Sequence, residues 1–300
     1  MKKLFGNLVK YRCMYIMISI GITFLIIFNY MPMTGLQIAF RDFRPGKTIW
    51  NAQWVGLENF WFLKDAEFWR VVKNTIVLTV TRFLFSFPAP IILALLINEV
   101  RNNKFKKAVQ SITYIPHFIS WVVVAYMLES LLAPTDGIVN QIIKSFGGEA
   151  IFFMGSTKWF VPVVVIASVW KEVGWGTIIY LAAISSIEQE MYEAASLDGA
   201  GKWAKVKYIT FPCLTPTIVL LLILSMPNLL NAGIDAIYPL TNNANLEVST
   251  VLDVYVLRNG MQLGKYSFAT AVGFISSVIS LLLVLSANKI SNKITGEGLW

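Results

Sequence analysis

The sequence predicts an all-α membrane protein with six transmembrane helices, forming a single domain over residues 1–300. Hydrophobic residues make up 56% of the chain and charged residues 14%, whereas a soluble domain carries about 25% charged residues. The mean hydropathy is +0.62, and a chain this apolar has too little polar surface to cover itself in water. Six stretches are apolar over the roughly 20 residues that cross a bilayer.

The predicted spans follow one another with short polar segments between them. Their limits are about 13–33, 74–97, 111–132, 159–184, 214–240 and 267–288. The first stretch follows basic residues, as a secretory signal does, but it is too long for a signal core and no small-x-small cleavage site follows it. We therefore expect it to remain as a membrane anchor. Pro88 and Pro90 predict a bend in the second span.

The positions of Lys and Arg predict that both termini lie in the cytoplasm. In that orientation the cytoplasmic segments hold 13 Lys or Arg in 66 residues, and the outer segments hold 9 in 88. Cytoplasmic loops of membrane proteins carry an excess of basic residues. The net charge of +8 therefore reflects orientation in the cell membrane. No basic stripe interleaved with aromatic residues indicates nucleic-acid binding.

Metal, disulfide and nucleotide sites are not predicted. The chain has two cysteines, Cys13 and Cys213, and one histidine, His117. Disulfide frameworks and tetrahedral metal sites need more ligands at closer spacing. The glycine–lysine pairs at 46–47 and 201–202 lack the first glycine of a phosphate loop. This chain is therefore not expected to be an ATPase.

The longest predicted cytoplasmic segment between spans is about 185–213, and its residues 188–213 read EQEMYEAASLDGAGKWAKVKYITFPC. Acidic residues precede an alanine-rich stretch, where the dipole of a short helix favours negative charge. Gly199 and Gly201 permit a turn, and a second amphipathic stretch follows that Pro212 is expected to end. This pattern fits either a docking element for another protein or an amphipathic loop on lipid headgroups.

This segment resembles the EAA signature of ABC importer permeases. The matching residues are Glu193-Ala194-Ala195, then Gly199 after three residues, then Ile209-x-Phe211-Pro212 after nine more. The family usually has leucine where this chain has Phe211. Four further segments are similar to the polysaccharide and complex-oligosaccharide branch of maltose-type carbohydrate-uptake permeases: 115–125, 137–143, 251–260 and 298–300. The resemblance covers essentially the whole chain.

The resemblance implies a permease subunit that pairs with a second permease in the cell membrane. Two cytoplasmic ATPase subunits would bind ATP and Mg²⁺, and an extracytoplasmic solute-binding protein would deliver the substrate. This chain itself would hold no cofactor and catalyse no reaction. Its expected contacts with the ATPase, or coupling residues, are Glu193, Ala194, Ala195, Asp198, Gly199, Ala200 and Pro212.

Polar residues at membrane depth are costly, so each is a candidate for a functional site. The expected substrate path consists of Trp170, Lys171, Glu172, Trp175, Asn228, Asn231 and Asp235. Adjacent helical residues point about 100° apart, so Lys171 and Glu172 are not expected to form a tight pair. The last three residues have the spacing i, i+3, i+7, which predicts one helix face. The alternative is that these groups hydrogen-bond other helices or the second permease.

Three further features are interpreted as structural. Arg82 is expected at the interface with the second permease or snorkelling to the headgroups, rather than as a substrate ligand. His117 is expected to be a hydrogen-bonded packing residue. A stripe of small residues, formed by Ala269, Gly273 and Ser277, favours close helix packing.

A stand-alone secondary carrier is the main alternative function, with Lys171, Glu172 and Asp235 as an ion or proton relay. Six spans are few for such a carrier, and it leaves the EAA spacing unexplained. An intramembrane enzyme is not favoured, because no catalytic set emerges. The sequence does not name the saccharide: acidic ones would fit Lys171 or Arg82, and neutral ones the Asn and Trp residues.

Overall fold

The computed structural model describes residues 10–46 and 48–296. Segment 298–300, which contributes to the family resemblance, and Lys47 lie outside these residues. Within the described part, the regular structure is helical except for one pair of two-residue strands, Arg41–Asp42 and Gln53–Trp54. The two strands are antiparallel, with Arg41 opposite Trp54.

Within the described residues, five helices are long and apolar enough to cross a membrane, and one bent pair of helices makes a sixth span. The five are Arg12–Phe40, Ala66–Asn98, Thr157–Ser185, Lys202–Leu229 and Tyr266–Lys293, and the bent pair is Asn103–Phe118 with Trp121–Leu131. We number them spans 1 to 6 in chain order, so the bent pair is span 3. The predicted all-α membrane fold is confirmed.

Several spans change helix type along their length. The α-helices are Arg12–Leu25, Met31–Met33, Ala66–Ser86, Pro88–Asn98, Asn103–Tyr114, Trp121–Leu131, Ile138–Ser145, Thr157–Ser185, Gln189–Leu197, Lys202–Lys205, Phe211–Ser225, Ile234–Ile237, Leu246–Ser249, Leu252–Leu257 and Tyr266–Thr295. The π-helical turns are Ile26–Tyr30, Val206–Thr210 and Arg258–Gln262. The 3₁₀ turns are Thr34–Phe40, Ile49–Asn51, Glu58–Lys64, Ile115–Phe118, Phe153–Gly155, Met226–Leu229 and Tyr238–Leu240.

Spans 2 and 3 begin eight residues before the limits read from hydropathy, because polar side chains cap them. The Asp65 carboxylate accepts a hydrogen bond from the N–H of Glu67 at 3.0 Å. The Asn102 side chain accepts one from the N–H of Lys104 at 2.9 Å. Such caps satisfy N–H groups that have no partner within the helix. The first turns are therefore helical although they are too polar for a hydropathy window.

Span 3 is not the continuous helix that the sequence predicts for 111–132. Its two halves, Asn103–Phe118 and Trp121–Leu131, meet at 101°. Pro116 lies in the 3₁₀ turn that ends the first half, and Ser120 caps the second half by accepting a hydrogen bond from the N–H of Val123. A proline followed by a new N-cap ends one helix and starts another.

Span 5 also differs from its predicted limits of 214–240. It begins at Lys202 and ends at Leu229, beyond which the backbone leaves the helix. Pro227 lies in the last, 3₁₀ turn, and Gly233 has a φ of +80°, a value that glycine adopts at little cost. A separate four-residue helix starts at Ile234.

Pro212 likewise does not end the stretch that precedes span 5, because it lies inside the span. The π-helical turn Val206–Thr210 directly precedes the helix that contains it. A local π-helical turn changes the hydrogen-bond pattern where proline supplies no N–H, so the helix continues through this point.

The chain divides into two compact units. One unit comprises the described residues up to Lys64 together with Val256–Ile275. Aromatic rings fill its centre: the Phe40 and Phe274 rings lie 5.4 Å apart in an edge-to-face arrangement, as do those of Phe62 and Phe268.

The other unit comprises Asp65–Tyr255 and the described residues from Ser276 onward. Its core contains fully buried apolar residues from several helices, among them Leu78, Val164 and Ile237. Span 4 passes through this core. A Cβ atom added at Gly174 would overlap the carbonyl oxygen of Thr113, so only glycine allows this approach of spans 3 and 4.

Candidate coupling loop and intramembrane cleft

The predicted coupling residues form a short helix, a turn and the start of span 5. The helix is Gln189–Leu197, and Asp198 follows it directly. Gly199 then adopts a φ of +77°. The N–H of Ala200 donates to the carbonyl oxygen of Ala195 at 2.8 Å, which closes the helix end. This is the hydrogen-bond pattern in which a helix ends on a left-handed glycine.

Two side-chain contacts fasten this helix to span 5. The Tyr192 hydroxyl lies 2.8 Å from the Thr210 hydroxyl, and Lys205 Nζ donates to the Ser196 hydroxyl at 2.6 Å. Thr210 is buried, so the first contact reaches into the protein. The loop helix and span 5 are therefore joined at two points besides the chain itself.

Much of the surface of the loop is exposed in this chain. Glu193, Ala194, Asp198 and Gly199 are exposed, and Leu197 has 90% of its surface accessible. A leucine this exposed, beside small and acidic residues, leaves an apolar surface for another protein to cover.

A second feature is a cleft of about 400 Å³ within the unit that contains spans 2 to 5. Its lining residues are Thr79, Arg82, Phe83, Ser86, Phe87, Trp121, Ser168, Glu172, Ser225, Asn228, Leu229, Asn231 and Gly233. Spans 2, 4 and 5, the second half of span 3 and the loop after span 5 all contribute. The lining combines hydroxyl, amide and charged groups with aromatic rings.

Arg82 anchors the loop that follows span 5. Its guanidinium donates to the carbonyl oxygens of Ala232 at 2.6 Å and Asn231 at 3.3 Å. Asp253 holds the same loop from another side, since its carboxylate accepts hydrogen bonds from the N–H groups of Ala232 and Gly233 at 2.7 and 3.1 Å. Burial raises the pKa of the Asp253 carboxyl, while these N–H groups and Arg82 act against the rise.

Lys171 likewise binds backbone carbonyls, at the break in span 3. It is only 5% exposed, and its Nζ donates to the carbonyl oxygen of His117 at 2.6 Å, with that of Pro116 at 3.5 Å. A cation at the carbonyl end of a helical segment is favoured by the helix dipole. The lysine therefore satisfies the His117 carbonyl at the bend, whereas the Pro116 carbonyl also accepts a hydrogen bond from the N–H of Ile119 at 3.1 Å.

Glu172 lines the cleft and contacts both His117 and Lys171. One carboxylate oxygen lies 2.7 Å from His117 Nδ1, and the other lies 3.6 Å from Lys171 Nζ. Lys171 and Glu172 are within ion-pair range, but each makes its shorter contact with His117, which agrees with the expectation that the two neighbours form no tight pair. The His117 ring also stacks on Trp175, with centroids 4.4 Å apart.

The structure separates the predicted substrate-path residues into groups. Asn228, Asn231 and Glu172 line the cleft. The prediction of one helix face for Asn228, Asn231 and Asp235 is wrong, because span 5 ends between the first and second of them. Asp235 is exposed in its own short helix and is not among the cleft residues.

The remaining path residues lie on span 4 outside the cleft lining. Trp170 and Trp175 are each more than two-fifths exposed, and Lys171 is buried. His117 is the hydrogen-bonded packing residue that the sequence predicts, with Glu172 as its partner.

Sequence reasoning missed the polar face of span 2. Thr79, Arg82 and Ser86 follow the spacing i, i+3, i+7, and all three line the cleft. The same spacing test that was applied to Asn228, Asn231 and Asp235 finds these three residues on one face of span 2. Asp253 was missed because its partners are backbone groups, for which no sequence signal exists.

A family model provides the identification. The model described as "Binding-protein-dependent transport system inner membrane component" matches residues 70–296. The chain belongs to this family. It is a multi-pass permease of the inner membrane, and the predicted resemblance to ABC importer permeases is confirmed.

Two curated relatives cover almost the whole chain. Protein LplB of Bacillus subtilis (strain 168) is 41% identical over 290 residues, which are 96% of this chain and 91% of LplB. The polygalacturonan/rhamnogalacturonan transport system permease protein YteP of the same organism is 42% identical over 300 residues, which are 100% of this chain and 94% of YteP.

Solved structures agree with this assignment. A chain in the crystal structure of a bacterial ABC transporter involved in the import of the acidic polysaccharide alginate is 38% identical, with a TM-score of 0.90 over 98% of this chain and 99% of that one. In the alginate transporter complexed with an alginate pentasaccharide-bound periplasmic protein, the TM-score is 0.91 over 99% of this chain and all of that one.

Proposed function

We propose that this permease forms half of the membrane pathway of an ATP-driven importer for anionic oligosaccharides. The observation that carries the proposal is full-length similarity to two kinds of protein. YteP is named for polygalacturonan and rhamnogalacturonan, and the similar crystal structure is of an importer of the acidic polysaccharide alginate. Polymers of this kind carry carboxylates on their sugar rings.

The loop that contains Gln189–Leu197 is the proposed contact with a separate ATPase subunit, which binds ATP and Mg²⁺. The proposed coupling residues in the loop are Glu193, Ala194, Ala195, Asp198, Gly199 and Ala200, and Pro212, the other expected contact, lies inside span 5. The exposure of Glu193, Ala194, Asp198 and Gly199 and the closed turn at Gly199 support this role. The contacts Tyr192–Thr210 and Lys205–Ser196 join the loop helix to span 5. A movement of the loop is therefore transmitted to span 5.

Alternating access follows from this connection. Closure of two ATPase subunits moves the loops of the two permeases, and each loop moves its span 5. The cleft residues Asn228 and Asn231 lie at and just beyond the end of that span, so the cleft changes shape with it. Coupling of this kind requires a two-state element that both sites bias, and span 5 is the element that joins them.

The remaining partners of the importer are a second permease and an extracytoplasmic binding protein, with both termini of this chain in the cytoplasm. The periplasmic protein in the alginate complex supports the binding-protein partner. The twofold excess of Lys and Arg density in the expected cytoplasmic segments supports the orientation.

The proposal is tested by uptake into liposomes that contain the complete purified importer. Labelled galacturonate and mannuronate trisaccharides are offered with the binding protein, with ATP or with a non-hydrolysable analogue on the ATPase side. We expect uptake of at least one of them, and only with ATP. Uptake by this chain alone, driven by an ion gradient, would instead favour a secondary carrier. That carrier would use Lys171, Glu172 and Asp235, although Lys171 here binds backbone carbonyls.

A further inference from the structure

Span 2 contributes three polar side chains to the cleft lining. These side chains differ in the hydrogen bonds that they make within the protein. The Thr79 hydroxyl lies 2.8 Å from the carbonyl oxygen of Leu229, to which it donates. Arg82 uses two hydrogen bonds to hold Asn231 and Ala232. The Ser86 hydroxyl is buried and has no hydrogen-bond partner among the described residues.

Arg82 retains hydrogen-bonding capacity at the cleft. A guanidinium has five N–H donors in a planar fork, and the two contacts with the loop account for two of them. Its side chain is half-buried and lines the cleft. A planar cation with donors to spare fits a carboxylate better than an ammonium group does, because it binds both oxygens in fixed geometry.

The nearby carboxylates are bound to groups other than the Arg82 guanidinium. Both Glu172 oxygens face His117 and Lys171, and Asp253 accepts from the backbone of the loop. Within the described part of the chain, no ion pair closer than 4.0 Å joins Arg82 to a carboxylate. The positive charge therefore remains available to a ligand.

Ser86 adds an independent observation. A buried hydroxyl without a partner costs free energy, and native structures satisfy almost all such groups. Ser86 lies one helical turn from Arg82 on the same face of span 2. A ligand bound at Arg82 is thus within reach of a hydroxyl that the protein leaves without a partner.

We propose that Arg82 and Ser86 form the subsite that selects the carboxylate of the transported sugar. This assignment rests on the proposed function and adds to it the residues that distinguish an anionic saccharide from a neutral one. The guanidinium binds the carboxylate, and the serine hydroxyl binds an adjacent sugar oxygen. The cleft volume of about 400 Å³ lies in the range of small-molecule sites, about 300–1,000 Å³.

The competing explanation is that Arg82 only anchors the loop. The experiment separates the two by comparing one oligosaccharide in two charge states: a galacturonate trisaccharide and the same trisaccharide with every carboxylate methyl-esterified. Initial uptake rates are measured in liposomes with the complete importer and ATP. The measured quantity is the ratio of anionic to esterified uptake relative to the unaltered importer, so any preference of the binding protein cancels.

For Arg82→Gln we expect this ratio to fall about tenfold or more, since a hydrogen-bonded charge pair is lost only for the anionic form. The matched control is Thr79→Val, which removes a hydroxyl contact to the same region of backbone without changing any charge. The control is expected to alter both rates alike. Equal loss of both rates in Arg82→Gln would overturn the subsite and leave a loop anchor.

Two further variants keep the test decisive if Arg82→Gln fails to assemble. Arg82→Lys keeps the charge but not the fork, and we expect a smaller fall of the ratio; an unchanged ratio overturns the assignment. Ser86→Ala removes a hydroxyl without a partner, so thermal stability is expected to hold or rise while the apparent KM for the trisaccharide increases. An unchanged KM removes Ser86 from the site. If the unaltered importer transports neither form, the proposed cargo itself is wrong.

Discussion

The coupling loop and the intramembrane cleft contain polar residues for opposite reasons. In the loop, Glu193 and Asp198 are exposed, and the conformation follows from neighbouring residues, above all Gly199. In the cleft and beside it, Arg82 and Lys171 bind backbone carbonyls where spans 5 and 3 are broken. The polar residues of the loop are exposed at the protein surface, whereas these two cations primarily donate hydrogen bonds to backbone carbonyls. A charged residue at membrane depth is therefore a sign of a broken helix as well as of a substrate site.

The strongest test of the membrane-embedded region is the glycine at the contact of spans 3 and 4. Gly174→Ala places a Cβ against the carbonyl oxygen of Thr113, and backbone cannot move aside as a side chain can. We expect a loss of about 4 kcal/mol in stability, above the roughly 1–3 kcal/mol typical of overpacking because the overlap is with backbone. Gly21→Ala is the control, because a Cβ there meets open space. Thermal unfolding in detergent measures both, and equal melting temperatures would contradict the close approach.

Removal of the buried cation is expected to have the next largest effect. Lys171→Met leaves the carbonyl of His117 and the carboxylate of Glu172 without this partner. We expect a loss of about 3 kcal/mol, typical of breaking a buried charged contact. Lys158→Met is the control on the same helix, since Lys158 is exposed. If the two variants melt alike, Lys171 does not secure the break in span 3.

Substitutions at Gly199 separate backbone strain from contact with the ATPase. Val is strongly disfavoured at a φ of +77°, so Gly199→Val is expected to cost about 2 kcal/mol in the turn and to lower uptake. Gly199→Asn keeps that conformation accessible and is expected to retain uptake.

Gly199→Asp combines an acceptable conformation with a new charge, and its Cβ meets open space in this chain. The loss of uptake and of ATPase co-purification that we expect from it therefore reports on the partner's surface. Normal transport and assembly in Gly199→Asp would remove the docking role of the turn.

The smallest effect is expected from an ion pair at the start of span 5. Lys202 Nζ lies 3.1 Å from the Glu99 carboxylate, and both side chains are substantially exposed. Exposed pairs contribute about 0.2–1 kcal/mol. A double-mutant cycle with Lys202→Met and Glu99→Gln is expected to give a coupling energy of about 0.5 kcal/mol. A coupling of several kcal/mol would show that this end of the loop is far more rigid than its exposure implies.

The sequence was sufficient where structure depends on neighbouring residues. The apolar stretches predict the membrane helices, and the acidic residues before an alanine-rich stretch and Gly199 predict a helix followed by a turn. It was insufficient where long-range contacts decide. Hydropathy alone predicts that span 5 continues past Pro227 to residue 240. In the structure the span ends at Leu229, and Arg82 and Asp253 bind the loop that follows.

The bend in span 3 has the same origin. Pro116 and Ser120 are visible in the sequence, but Lys171, which binds the His117 carbonyl at the bend, lies more than 50 residues away. Local patterns predict where a helix is weakened, and only the tertiary contacts show whether it breaks.

Cross-linking within the complete importer tests the central claim most directly. With Cys13 and Cys213 replaced by serine, Leu197→Cys supplies a single thiol on the coupling loop, and Lys144→Cys supplies one in a segment expected outside. A reagent that joins a thiol to a nearby amine is then added. We predict that Leu197→Cys becomes linked to the ATPase subunit and that Lys144→Cys does not. Linkage of Leu197→Cys to the binding protein, or no more ATPase linkage than Lys144→Cys shows, would contradict the account.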